Sequence, residues 1–195
     1  MKKKITEITD IQLGYQFREK IEPVDDGNTR VIQIRDFDDH RILHKEGLSR
    51  VKIDKPSEHY LINKGDVLFL SRGHRNWAAS IIDDCEDTIA VSHFFVLKMR
   101  NASVIPEYIA WYINQTPAQK YLHNIARRGT HIPIIPLSAF EGLTVDLPKK
   151  ETQEKIVELS NLMEKEWRLF NELQGKRSQL VNTISLKAIK DNKEQ

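Results

Sequence analysis

A chain of 195 residues, 39% of them hydrophobic, is long enough for one domain with a sizeable core plus an appendage. Thirty basic against 28 acidic side chains leave a formal charge of +2, which excludes a tail that grips polyanions through bulk charge, so any nucleic-acid surface has to be a local patch. The single cysteine, Cys85, excludes an intrachain disulfide and a thiolate zinc site.

No apolar run approaches the roughly 20 residues needed to cross a bilayer, and Met1-Lys2-Lys3-Lys4 leads into a polar stretch instead of an apolar leader. A soluble, cytoplasmic protein without membrane contact is expected. In chain order, strands are predicted at 30–35, 67–70, 78–82, 89–91, 94–99 and 143–147, each short, β-branched or aromatic-rich, and bounded by turn residues. Two helices interrupt them, at 106–113 and from Pro117 to about Ala126, each with proline at its first position. Thr116 and Gln119 have the spacing of a capping box, and Ser138 with Glu141 predicts a further short helical turn.

From Glu151 to Ile189 there is no proline and one glycine, Gly175. That change marks a boundary: residues 1–148 are expected to form a mixed, curved β-sheet domain with small helices, and residues 149–195 one long coiled-coil-type helix, an α+β class. With Ile156 at position a, the a and d series runs Ile156, Leu159, Met163, Glu166, Phe170, Leu173, Arg177, Leu180, Ile184, Lys187. Such a narrow apolar seam, roughly 45 to 50 Å long at 1.5 Å per residue, needs a partner. The seam either packs back on its own domain or pairs with another helix, and a helix longer than the domain is wide favours the second.

Catalytic signatures are missing from the sequence. There is no glycine-rich cofactor loop, no Asn/Asp-Pro-Pro-aromatic motif, no phosphate-binding Gly-x-x-x-x-Gly-Lys-Ser/Thr loop and no Glu-x-Lys. Neither a cofactor nor catalysis by this chain is expected. Asp36, Asp38, Asp39, His40 and His44 are the best candidate metal cluster, but without a rigidly spaced fourth ligand a solvated turn is the expected reading, and no metal site is predicted.

Two segments combine the side chains that groove recognition requires. Ser71-Arg72-Gly73-His74-Arg75-Asn76-Trp77 leaves an apolar strand; arginine can grip guanine N7 and O6, and asparagine can do the same for adenine. The alternative is an ordinary solvated hairpin, with Trp77 opening the next buried strand. Arg127-Arg128-Gly129-Thr130-His131 ends the second helix, where cations before a glycine cap are also explained by the helix dipole alone. Arg18 and Arg35, with Gln16, are weaker candidates at turn and strand-end positions.

Taken together, five segments resemble the specificity (S) subunits of Type I restriction-modification systems. They are Val31-Ile32-Gln33-Ile34-Arg35-Asp36, Leu61-Ile62-Asn63-Lys64-Gly65-Asp66-Val67-Leu68-Phe69, Pro106-Glu107-Tyr108-Ile109-Ala110-Trp111-Tyr112-Ile113-Asn114, Ala126-Arg127-Arg128-Gly129-Thr130, and Leu143-Thr144-Val145-Asp146-Leu147-Pro148 followed by Gln153-Glu154-Lys155-Ile156-Val157. The resemblance implies a target-recognition domain that reads a few base pairs of duplex DNA. It also implies a helix that docks modification (methyltransferase) subunits and, through them, restriction subunits. A full S subunit has two such domains and two antiparallel helices, whereas this sequence has one of each. A half subunit is therefore expected, forming a homodimer on a bipartite inverted-repeat site or pairing with another half subunit. The competing reading is an assembly factor or decoy that docks on modification subunits without reading DNA.

Overall fold

Alternation within two adjacent strands organises the first part of the molecule. β5 (Val67–Leu70) and β8 (Phe94–Met99) run antiparallel, with Val67 opposite Leu97 and Phe69 opposite Phe95. Successive side chains on a strand point to opposite faces. Val67, Phe69, Phe95 and Leu97 therefore enter one core, while Leu68, Leu70, Phe94 and Val96 enter a second core on the other face. A strand buried on both faces reads as an unbroken apolar run, which is how Val67-Leu68-Phe69-Leu70 reads.

The computed structural model describes residues 1–54, 56–126 and 133–191 and divides into two units, Met1–Val157 and Glu158–Gln195. In the first unit, β2 (Thr9–Leu13) and β6 (Ala78–Ser80) complete an antiparallel sheet of order β2-β8-β5-β6. A second sheet of β3 (Thr29–Ile32), β4 (Ser49–Val51) and β7 (Thr88–Ala90) has the order β4-β3-β7, with β3 and β7 parallel. β1 (Lys2–Lys4) pairs with β9 (Thr144–Asp146). The short helix α1 (Ile5–Ile8), α2 (Pro106–Ile113), α3 (Thr116–Ile125) and α4 (Leu137–Phe140) pack on the first core, where Phe140 stacks on Phe69 with ring centroids 4.3 Å apart.

The Lys64-Gly65-Asp66 entry into β5 is a turn with a brace. Gly65 sits at φ +89°, a left-handed value that favours glycine. The Asp66 carboxylate accepts the Asn63 amide at 2.9 Å and lies 3.6 Å from the Lys98 ammonium.

The Gln153 motif is equally physical. The first turn of α5 (Lys150–Asp191) contains Gln153, which is 1% exposed. Its Oε1 accepts the Ile105 amide, and its Nε2 donates to the carbonyls of Ser103 and Pro148, at 2.9–3.0 Å. One side chain thus satisfies three backbone groups and fixes the start of the helix.

Several expectations need correction. The strand expected at 30–35 ends at Ile32, because residues 34–36 turn into a 3-10 helix closed by the Asp36 carboxylate on the Gln33 amide. β6 stops at Ser80, and β7 is shifted one residue, to Thr88–Ala90. β1, β2 and β4 were not expected, since their polar sequences lack an apolar pattern. Thr116 is inside α3 and Gln115 is the N-cap, so the capping box is not formed. Gln119 instead donates backwards to the Ile113 carbonyl at 2.8 Å, meeting a free acceptor at the end of α2 in place of a free donor at the start of α3. Ser138 likewise lies within α4, which is capped by Pro136. Ile156, assigned to the partner seam, packs against the first core together with Val157.

Candidate nucleic-acid interface

The loop after β5 is held at its base by a set of hydrogen bonds. The Ser71 amide and hydroxyl both donate to the His93 carbonyl, at 2.9 and 2.8 Å. On the other side the Ile135 amide donates to Ser71 O at 2.8 Å and the Gly73 amide to Pro133 O at 3.1 Å, with a bridge between Arg72 and Ile134. The Asn76 Nδ2 donates to the Leu70 carbonyl at 2.9 Å and closes the loop. Trp77 packs edge-on to Phe37 and Phe94, with centroids 5.0 and 5.8 Å away. Asn76 and Trp77 are thus half-buried supports, while Arg72, His74 and Arg75 are exposed. Burial, reinforced by the Arg72 charge, holds the nearby His93 imidazole below its ordinary pKa and favours its neutral form.

A cleft of about 570 Å³ opens beside this loop. One wall is His74, Arg75, Asn76 and Trp77; another is Asn114 with Gln119, Leu122 and His123 of α3; a third is Phe37, Asp38, Asp39 and Arg41. That third wall is a tight hairpin in which Phe37 pairs with Leu43 and Arg41 takes φ +66°. Asp38 Oδ1 accepts the amides of His40 and Ile42, each at 2.9 Å, and its Oδ2 lies 3.6 Å from His44 Nε2. The Asp36 carboxylate is occupied by the Gln33 amide. These acidic groups serve the turn, and among the described residues no cluster of three or more His, Cys, Asp or Glu is placed to hold a metal ion. Cys85 is buried in the second core, and burial pushes its thiol up, away from the reactive thiolate.

Of the residues expected to meet DNA, the structure gathers His74, Arg75, Asn76 and Trp77 at the cleft, with Arg72 on the same loop. Arg127, Arg128, Thr130 and His131 lie outside the described residues; the chain on either side of them, at Ala126 and Pro133, lines the cleft. Arg35 is exposed but turns to Ser49, at 2.9 Å, and Arg18 is exposed in a bend; neither lines the cleft. Sequence reasoning missed Arg41, Gln119 and His123. The α3 residues carried a usable signal, because Thr116, Lys120, His123 and Asn124 recur at helical spacing on the exposed face opposite the buried Ala118 and Leu122.

The family model of the Type I restriction modification DNA specificity domain matches residues 1–173. The chain belongs to that family. A curated relative, the Type I restriction enzyme HindI specificity subunit of Haemophilus influenzae, is 27% identical over 161 residues, which are 80% of this chain and 34% of that protein. The S subunit of a Type-I restriction-modification system from M. genitalium superposes with a TM-score of 0.56 at 15% identity, over 85% of this chain and 39% of that one. The HsdS subunit from Thermoanaerobacter tengcongensis gives 0.61 at 17% identity, over 90% and 45%. At these identities the two solved structures establish the fold: an α+β head with curved sheets and a long C-terminal helix. The chain spans about a third of the curated relative and less than half of either solved chain. Among the described residues no helix is long and apolar enough to cross a membrane.

Proposed function

We propose that this chain is the target-reading part of a Type I specificity subunit: its head, residues 1–148, discriminates a few base pairs of duplex DNA, and residues 149–195 dock other subunits. The observation that carries the reading is the specificity-domain match across residues 1–173, which spans the head and the first half of α5. Arg72, His74 and Arg75 form the leading edge, raised on a loop whose backbone, Asn76 and Trp77 are already committed. Arginine and histidine on such a loop meet phosphate and base edges in a groove. Arg127, Arg128, Thr130 and His131 are further DNA contacts on the strength of their side-chain chemistry, and Arg18 and Arg35 make outlying phosphate contacts.

The chain contributes no catalytic group, cofactor or metal of its own. Methylation belongs to the modification subunits that α5 docks, and cleavage to the restriction subunits those recruit, all in the cytoplasm. Leu159, Met163, Phe170, Leu173, Leu180 and Ile184 are each 55–63% exposed along α5 and form the docking seam. Leu162, Trp167, Leu169 and Val181, also exposed, widen it, so the helix can engage a second copy and a modification subunit on adjacent stripes. A dimer of this chain reads a bipartite inverted repeat, as two-fold symmetry requires.

The test is DNA affinity of the chain with its modification subunit after Arg72→Ala, His74→Ala and Arg75→Ala. Each lost base contact weakens binding to the cognate site by roughly 1 to 3 kcal/mol while co-purification is retained. Unchanged affinity with docking intact would instead support an assembly factor or decoy.

A further inference from the structure

The apolar stripe of α5 carries two charges that its own helix leaves unpaired. Among the described residues, Glu164 pairs with Arg168 at 3.8 Å and Glu172 with Lys176 at 2.6 Å, both at i,i+4 spacing. Glu166 and Arg177 sit in the a and d series and have no such neighbour. Positions three and four away from Glu166 are Leu162, Met163, Leu169 and Phe170; those around Arg177 are Leu173, Gln174, Leu180 and Val181. Neither makes an ion pair within the chain among the described residues, and both are exposed.

We infer that α5 binds α5 of a second copy antiparallel, about a two-fold axis between Asn171 and Glu172, and that Glu166 opposite Arg177 of the other copy fixes the register. This deepens the dimer reading above and rests on it. In a two-stranded antiparallel coil an a residue faces a d residue of the partner. With that axis Phe170 faces Leu173, Met163 faces Leu180, and Leu159 faces Ile184, each twice by symmetry. The one remaining layer, also occurring twice, brings Glu166 against Arg177. Every layer from Leu159 to Ile184 is then apolar against apolar or acid against base, over about 38 Å at 1.5 Å per residue.

Other registers leave charges uncompensated. Sliding one heptad one way sets Glu166 against Phe170 and Arg177 against Leu159; sliding the other way sets Glu166 against Ile184 and Arg177 against Leu173. A parallel in-register pair sets Glu166 against Glu166 and Arg177 against Arg177. A polar residue in a coiled-coil seam selects the arrangement that satisfies it. On the flanks, the chosen register places Leu162 opposite Thr183, Leu169 opposite Lys176 and Trp167 opposite Gln174, so no like charges meet. Ile156, which would face Lys187, is outside the seam because it belongs to the head core. The structure and the register thus end the coil at the same residue.

Charge swaps in the full-length chain, read by analytical ultracentrifugation, test this. Glu166→Arg alone and Arg177→Glu alone each set like charges opposite one another at both ends of the seam, and each weakens dimerisation at least about tenfold. The double swap Glu166→Arg with Arg177→Glu returns the dimer to the affinity of the unsubstituted chain. Mixing the two single variants gives a heterodimer in which both layers pair again. If the single variants dimerise as well as the unsubstituted chain, or the double swap is no better than the singles, the register is wrong while the dimer stands. An unsubstituted chain that stays monomeric overturns the dimer and the register together. The alanine variants of the head loop report on DNA reading independently of both results.

Discussion

Asp66 shows how a motif residue is occupied by structure. Burial pushes its carboxyl above the usual aspartate value, against the opposing pull of the Asn63 amide and the Lys98 charge. A carboxyl raised in the folded state takes up its proton more readily there than in the unfolded chain. Its contribution to stability is therefore present at acid pH and is lost as pH rises through the folded value. We expect the unfolding free energy of the wild type relative to Asp66→Asn to increase as pH falls from 7 toward the ordinary carboxylate range. Urea denaturation at several pH values checks this, and a relative stability that stays flat or falls contradicts it. Gly65→Ala, at φ +89°, is expected to cost about 1 kcal/mol or more through backbone strain alone. Arg72, His74 and Arg75 were legible as a group because they follow an apolar strand and flank a glycine. Arg41 was not, because its left-handed conformation at a hairpin tip is one that residue type signals only for glycine, asparagine or aspartate.

At the scale of elements, the long helix α5 and its apolar stripe were legible from a 3.5-residue period that needs no tertiary information to be read, although Ile156 at its start packs on the head core instead. β5 and β8 were legible as uninterrupted apolar or aromatic runs between turns. β1, β2 and β4 were hidden because polar strands at or near sheet edges are held by backbone pairing such as Lys3 with Val145 and Ile11 with Leu97, which leaves little trace in side-chain pattern. The α2–α3 corner misled for a related reason: Gln119 fits a capping box by spacing, yet a nearer acceptor competes for its amide. Gln153→Ala would strand the Ile105 amide and the Ser103 and Pro148 carbonyls, and should destabilise the head by about 2–3 kcal/mol in urea unfolding; a loss well below about 1 kcal/mol would mean that water replaces it. Gly175 lies mid-helix with open space where a Cβ would go. Gly175→Ala should therefore raise the stability of α5 by up to about 1 kcal/mol, seen as a higher midpoint in far-UV circular dichroism. An unchanged midpoint would indicate that glycine serves a contact made only in an assembly.

For the whole molecule, the division of labour follows from where the chain places its chemistry. The first unit spends its apolar side chains on two cores, one on each face of a single sheet, and leaves basic and amide groups around a cleft. The second unit leaves its apolar side chains exposed along one helix. The cleft of the first unit is lined by Arg41, His74 and Arg75 together with Asp38 and Asp39, and the apolar stripe of the second unit faces solvent. Methylation mapping of single DNA molecules from cells that make this chain with its modification subunit, compared with cells lacking the chain, tests the central claim most directly. The account predicts one short split motif, its two halves inverted repeats, methylated only when the chain is present and lost on Arg72→Ala with Arg75→Ala. Methylation that is absent, or unchanged when the chain is removed, would contradict it.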